Sequence, residues 1–157
     1  MRIAHLADVH IRKLKYHTEY KVVFKQLYEI LKKEEVDNIV ICGDLVHTKT
    51  DMSPEMISMV SWFLSSLADI APTVVILGNH DGNLKNSGRL DALTPIVRSL
   101  DHPDLYLLKD SQEMKLKDGF YFNVLSVFDR ENWVKPSNKD AVNIALYHGS
   151  ITSSKTD

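Results

Sequence analysis

Short aliphatic and β-branched runs alternate along the chain with longer stretches of helical period, and this alternation predicts the elements. Arg2–Ala7 reads as a first strand through Ile3, Ala4 and Leu6. From Thr18, placed to cap a helix, to about Glu34, apolar residues recur at helical spacing, with Val22, Val23, Leu27, Ile30 and Leu31 on one face. Asn38–Cys42 is a second strand. Ser53-Pro54-Glu55 then marks a helix start: a capping hydroxyl, proline at the first helical position and an acid in the first turn. That helix runs to about Asp69, and Pro72 breaks the chain before a third strand, Thr73–Leu77. A third helix is expected over Arg89–Leu100, with Leu90, Leu93, Ile96, Val97 and Leu100 on one face and Pro95 as an irregularity near its middle.

The remainder is β-rich. Leu105–Leu108 is a short strand, Met114–Leu116 and Phe120–Val127 form a hairpin around Lys117-Asp118-Gly119, and Val142–Tyr147 is the last strand. Between them Arg130–Asp140 is a polar loop. The order βαβαβα argues for parallel strands with covering helices, and the second half for antiparallel strands in a second sheet packed on the first. With no internal repeat, low-complexity segment or linker, residues 1–157 are expected to form one domain.

Composition narrows the class. A hydrophobic fraction of 44% and a charged fraction of 25% are those of an ordinary globular protein. The net charge of −2 argues against a surface coated in positive charge. The single cysteine, Cys42, has no internal disulfide partner and fits a reducing compartment. No apolar run approaches the ~18 residues of a membrane span, and the first residues do not read as a signal peptide. A cytoplasmic location, nucleoid-associated in a bacterial or phage setting, is the expectation.

Chemistry collects at the strand ends. Asp8 and His10 follow strand one, Asp44 follows strand two, Asn79, His80 and Asp81 follow strand three, and His148 follows the last strand. Parallel strands deliver their carboxyl ends to one edge, where α/β folds place their ligands. Carboxylate, amide and imidazole without thiolate suit divalent ions of intermediate hardness, such as Mn²⁺, Fe²⁺ or Zn²⁺. Asp44 is the best carboxylate to bridge two ions ~3.5–4 Å apart. Arg12, Lys13 and Lys15 begin a basic stretch beside this group, and Lys49, Lys85 and Arg89 extend it on the other loops. Such side chains either form a solvated surface or take a phosphate backbone. His47 reads equally well as a turn residue or part of the site's rim, and His5 as a core histidine.

The ordered motifs Asp8-Val9-His10, Gly43-Asp44, Gly78-Asn79-His80-Asp81 and His148-Gly149 resemble those of the calcineurin-like metallophosphoesterases. Gly43-Asp44-Leu45-Val46-His47 and Gly78–Asp81 with Gly88-Arg89-Leu90 look like the versions found in SbcD-type DNA repair nucleases. The resemblance implies an α/β fold, a metallophosphoesterase-like β-sandwich of two mixed sheets flanked by helices in αββα layers. It implies two divalent ions, Mn²⁺ first, with Mg²⁺, Fe²⁺ or Zn²⁺ as alternatives. Asp8 and His10 would hold one ion, Asp44 would bridge, and Asn79 and His148 would hold the other. His80 would contact the phosphate and protonate the leaving oxygen, with Asp81 orienting it.

The same resemblance implies an exonuclease or endonuclease acting on DNA in repair, recombination or replication, an SbcC-type coiled-coil ATPase partner, and a homodimer. Two departures stand out. Ile11-Arg12 replaces the family's usual Leu-Gly, and no G-H-x-H follows His148. The second is expected to reflect a domain lacking its C-terminal part and any capping or ATPase-docking segment. The rival readings are a small-molecule or nucleotide phosphodiesterase or phosphatase of the same superfamily, and a non-catalytic scaffold lobe with a degraded metal site.

Overall fold

The computed structural model describes residues 1–86, 88–117, 119–133 and 135–150. Asp118 of the expected turn and the polar run Ile151–Asp157 lie outside the described residues. Among the described residues, seven strands and three helices follow in the order β1 (Ile3–Leu6), α1 (His17–Lys33), β2 (Asn38–Cys42), α2 (Pro54–Ala68), β3 (Thr73–Ile76), α3 (Thr94–Leu100), β4 (Leu105–Leu108), β5 (Gln112–Lys115), β6 (Phe120–Val124) and β7 (Val142–Leu146).

The first sheet is wholly parallel, in the order β1-β2-β3-β4. Its strands alternate side chains between two cores, as a period of two requires. Ile39, Ile41, Val75 and Leu77 face the helices, where Phe24, Met56, Phe63 and Leu64 complete one cluster. Val40, Cys42, Val74 and Ile76 face the second sheet, meeting Phe122, Val124 and Leu146. A sheet covered on both faces explains why β2 and β3 read as unbroken apolar runs. The register pairs Leu6 with Ile41 and Cys42 with Ile76, so β1, β2 and β3 finish level at one edge.

The second sheet, β5-β6-β7, is mixed: β5 and β6 are antiparallel, whereas β7 runs parallel to β6. The antiparallel pairing expected from the residues holds for β5 and β6, and the parallel β7 makes this sheet mixed, as the family resemblance implies; the first sheet is parallel throughout among the described residues. The connection over residues 125–141 is long enough for a crossover, which a parallel pair requires and a hairpin cannot supply. It contains a 3₁₀ turn at Arg130–Asn132.

Two helices depart from the predicted pattern. α1 buries Phe24, Tyr28 and Leu31, leaving Val22, Val23 and Ile30 more than half exposed. Aromatic packing decides this orientation: Phe24 lies 4.1 Å from Phe63 and Tyr28 5.6 Å from Trp62, centroid to centroid. Rings of that size bury more apolar area than the valine pair. Nor does Thr18 cap α1; the cap position is Tyr16, in the left-handed region at φ 60°. The preceding loop is held instead by the His17 ring on the Arg12 carbonyl at 2.7 Å.

In α2 the sequence signal holds: the Ser53 hydroxyl accepts from the Met56 amide. α3 is shorter than expected because Pro95 lies in its first turn, where a missing N–H costs nothing. Asp91 supplies the cap from three residues upstream. Its carboxylate accepts the Leu93 and Thr94 amides at 3.0 and 2.7 Å and the Thr94 hydroxyl at 2.6 Å.

Burial works against the Asp91 charge, but the Thr94 donors and the Lys109 ammonium outweigh it and hold the carboxyl below its ordinary range. The stabilisation is therefore present above the unfolded-state value of about 3.8 and is lost as pH falls through the folded-state value. Asp91→Ala is expected to lower stability by about 1–2 kcal/mol in urea unfolding at neutral pH. The difference from the parent should shrink as the pH approaches 3; a pH-independent difference would contradict an ionised cap.

Candidate metal centre

Three loops leave the level strand ends and lock onto one another. The segment after β1 zips against the segment after β2: the Asp8 amide donates to Gly43 O, His10 to Asp44 O, and Ile11 to Leu45 O, at 2.9–3.2 Å. Asp8, His10 and Asp44 all take positive φ, at 54°, 49° and 53°. Left-handed backbone is uncommon for residues with a side chain and persists where surroundings impose it. Two glycines make the approach sterically feasible. A methyl at Gly78 would lie 2.2 Å from an Asp44 carboxylate oxygen, and one at Gly43, itself at φ +83°, 2.5 Å from the His148 ring.

Asp44 is the hub of the resulting group. Its side chain is 5% exposed, and Oδ1 accepts the His80 amide at 2.8 Å. Around Oδ2 stand three imidazole Nε2 atoms: His148 at 3.4 Å, His10 at 3.6 Å and His80 at 4.0 Å. Asp8 Oδ1 lies 3.7 Å from His10 Nε2, and Asn79 Oδ1 lies 3.3 Å from His148 Nε2. The structure thus brings Asp8, His10, Asp44, Asn79, His80 and His148 into one cluster, from four strand ends.

The ring orientations are chemically informative. His148 Nδ1 lies 2.8 Å from Cys42 O, and His80 Nδ1 lies 2.6 Å from His47 O. A carbonyl only accepts, so each Nδ1 carries a hydrogen, and in the neutral ring each Nε2 then carries the free lone pair on the side of Asp44. A backbone carbonyl behind an imidazole is the usual way a metal-binding tautomer is fixed.

This donor set fits divalent cations. The nitrogen-to-oxygen separations around Asp44 Oδ2 are mostly too long for hydrogen bonds. They suit atoms sharing an ion at roughly 2.0–2.2 Å from each. His10 Nδ1 is buried with no partner among the described residues, a further sign that the ring is placed by what its other nitrogen binds. Asp8, His10 and Asp44 form one group whose ligand atoms lie within 4.8 Å of each other.

Asp81 has a different place from the one expected. Its carboxylate accepts the Val46 amide at 3.0 Å and the Gly78 amide at 2.9 Å, and the residue is fully buried. It ties the β3 loop to the β2 loop, while the His80 ring is held by the His47 carbonyl. Burial raises the Asp81 carboxyl to about 6 against the pull of those two amides, and the Asp44 charge pushes it the same way.

His47 was underweighted by sequence reasoning. Its ring stacks on His80 at 5.7 Å and meets His10 edge-on at 5.6 Å, and the three histidines form a second cluster of ligand atoms within 4.8 Å. Burial lowers the His47 pKa, and Arg12, His10 and His80 add to that. The Asp44-x-x-His47 spacing across a tight turn was the available signal. Tyr20, whose hydroxyl donates to His10 O at 2.9 Å, carried none.

The basic residues are distributed around this centre. Lys13 pairs with Asp51, and Lys49 Nζ donates to the Asn79 carbonyl at 2.8 Å. Arg12 and Lys15 are exposed on the β1–α1 loop, and Lys85 on the loop after Asp81. Arg89 lines a separate niche of about 320 Å³ with Asp91 and Lys109.

Carboxylates, an amide and imidazoles converging at the carboxyl ends of a parallel sheet are a donor set that could hold divalent ions. Residues 1–156 match the calcineurin-like phosphoesterase family, and the chain belongs to it. Members of this family use divalent metals and are generally hydrolytic.

The chain is 45% identical over 175 residues to the uncharacterized protein R555 of Acanthamoeba polyphaga mimivirus, covering 99% of this chain and 12% of that protein. It is 36% identical over 105 residues to a subunit of the SbcCD nuclease of Bacillus subtilis, covering 62% of this chain and 25% of that protein. The crystal structure of the Pseudomonas putida nuclease MPE is similar with a TM-score of 0.46 and 26% identity, over 77% of this chain and 52% of that one. The chain therefore spans a minor part of the curated relatives it matches.

Asp81→Asn replaces one acceptor with a donor and leaves a buried backbone amide unpaired. It is expected to destabilise the fold by about 1–3 kcal/mol, measured by urea unfolding of the metal-free protein. Stability equal to the parent would contradict the bracing role.

Proposed function

We propose that this chain is the phosphodiesterase lobe of a metal-dependent nuclease acting on DNA. The observation that carries this reading is the ring of three imidazoles around the buried Asp44 carboxylate, two with their tautomers fixed by carbonyls. Asp8, His10 and Asp44 would hold one divalent ion, and Asp44, Asn79 and His148 a second. Ions bound there supply Lewis acidity toward phosphoryl oxygens and a water of lowered pKa.

The remaining roles fall to the chain itself. His80 stands farthest from Asp44 of the three imidazoles and its side chain is 39% exposed, so its Nε2 is free to meet a substrate. The His47 carbonyl on Nδ1 would hold the ring so that Nε2 can give a proton to the departing oxygen. Arg12, Lys15 and Lys85 supply sequence-independent attraction for a polyanion. DNA as the substrate, and a coiled-coil ATPase partner with a homodimeric assembly, rest on the SbcD-like motifs and on the similarity to a protein named as part of the SbcCD nuclease.

A scaffold role without hydrolysis is the second reading, favoured by the three protein ligands that each ion would have among the described residues. Mn²⁺-dependent cleavage of linear duplex and single-stranded DNA separates the two. His80→Ala is expected to lower hydrolysis at least ~100-fold while Mn²⁺ binding, measured by calorimetry, persists. Asp44→Ala should lose both. Equal loss of metal in the two variants would overturn these roles.

A further inference from the structure

Of the three imidazoles around Asp44, His10 is anchored differently from the other two. His80 and His148 each set Nδ1 against a backbone carbonyl, at 2.6 and 2.8 Å. His10 Nδ1 is buried without a partner among the described residues. Metal-binding histidines ordinarily use that second nitrogen to fix the ring. Until an ion reaches its Nε2, the His10 ring is aimed by the main chain beneath it.

That main chain is gripped on both sides. The His10 amide donates to Asp44 O at 3.0 Å, and the His10 carbonyl accepts the Tyr20 hydroxyl at 2.9 Å. The first bond belongs to the zip between the loops after β1 and β2. The second reaches in from α1, ten residues along the chain. The grip matters because His10 stands at φ 49°, a conformation that persists only where its surroundings impose it. A peptide relaxing from there would swing the Cα–Cβ bond and carry the imidazole away from Asp8 and Asp44.

Tyr20 takes its own position from the helical layer rather than from the loop it holds. It lies in the first turn of α1, where its amide donates to Tyr16 O at 2.8 Å. Its ring packs on Phe24, with centroids 5.5 Å apart, and Phe24 lies against Phe63 in the core. From the same turn the His17 ring donates to Arg12 O at 2.7 Å. That contact steadies the loop two residues further on, but its acceptor is not His10.

We propose that Tyr20 is a positioning residue of the metal centre. Its hydroxyl, holding the His10 carbonyl, aims the His10 imidazole at the ion shared with Asp8 and Asp44, in place of the Nδ1 anchor that this ring lacks. The inference rests on the reading above in one respect, that these three residues hold a divalent ion, and not on the identity of the substrate. It gives α1 a part in the centre although none of the ligand candidates lies on that helix. A bond that merely closed the loop would change stability and leave the affinity for the ion alone.

The test titrates the 157-residue chain with Mn²⁺ and counts the unbound ion by its electron paramagnetic resonance signal. Urea unfolding of each metal-free variant sets conditions under which all are folded. Tyr20→Phe keeps the ring and removes the hydroxyl, and it should weaken the His10-dependent Mn²⁺ site about tenfold. In His10→Ala, which removes that site, adding Tyr20→Phe should leave the remaining Mn²⁺ affinity within about twofold. His17→Ala, which frees the same loop at Arg12, should change the His10-dependent affinity by less than about twofold.

Unchanged affinity in Tyr20→Phe would overturn the role. So would an equal loss in His17→Ala, which would mark a general loosening of the loop, or a loss that persists undiminished in the His10→Ala background. Mn²⁺ binding by the parent that His10→Ala does not alter would overturn the ligand assignment of His10 and the role of Tyr20 together. The other adverse results overturn the role of Tyr20 alone.

Discussion

The structure depends on burying the Asp44 carboxylate where one backbone amide and three imidazole rings surround it. An ionised carboxylate loses several kcal/mol of hydration on burial, and one amide donor, from His80, offsets only part of that. A second buried carboxylate, Asp81, stands close enough for the two charges to repel. The group is balanced when positive charge sits among the imidazoles that surround Asp44. The divalent ions proposed for this centre would supply that charge, and the left-handed backbone at Asp8, His10 and Asp44 is the geometric side of the same arrangement.

The fold serves that constraint. Level strand ends in a sheet buried on both faces present three loops at one edge, and the backbone bonds between residues 8–11 and 43–45 fix their spacing. Asp81 ties in the third loop through Val46 and Gly78. The fourth contribution, His148, comes from the second sheet and is anchored to the first through the Cys42 carbonyl. The metal centre thus depends on packing between the sheets, which a cluster within one loop would not.

Much of this was legible in the sequence. Aliphatic runs ending in polar residues located β1, β2, β3 and β7, and the six clustered site residues, five ligand candidates and His80, could be read from those ends. What could not be read arose from competition between similar signals. α1 offers two apolar stripes, and aromatic partners on α2, invisible to periodicity, chose Phe24 and Tyr28 over Val22 and Val23. Pro95 looked like a flaw within a long helix because the Asp91 cap that begins a short one depends on side-chain geometry. The direction of β7 could not be read from its own residues, because the connection before it is long enough for either pairing. The sequence left His47 open between turn and rim, and did not show that the Asp81 carboxylate turns to the Val46 and Gly78 amides, because adjacency in a motif says little about which way a side chain turns.

The central claim is that Asp44 joins two ions into one centre. Electron paramagnetic resonance of the protein saturated with Mn²⁺ tests it most directly, because ions ~3.5–4 Å apart couple magnetically. The account predicts the multiline signal of a coupled pair for the parent chain, replaced in Asp44→Asn by the six-line signal of isolated ions or by free Mn²⁺. A six-line signal from the parent at saturation, or a coupled signal that survives in Asp44→Asn, would contradict it.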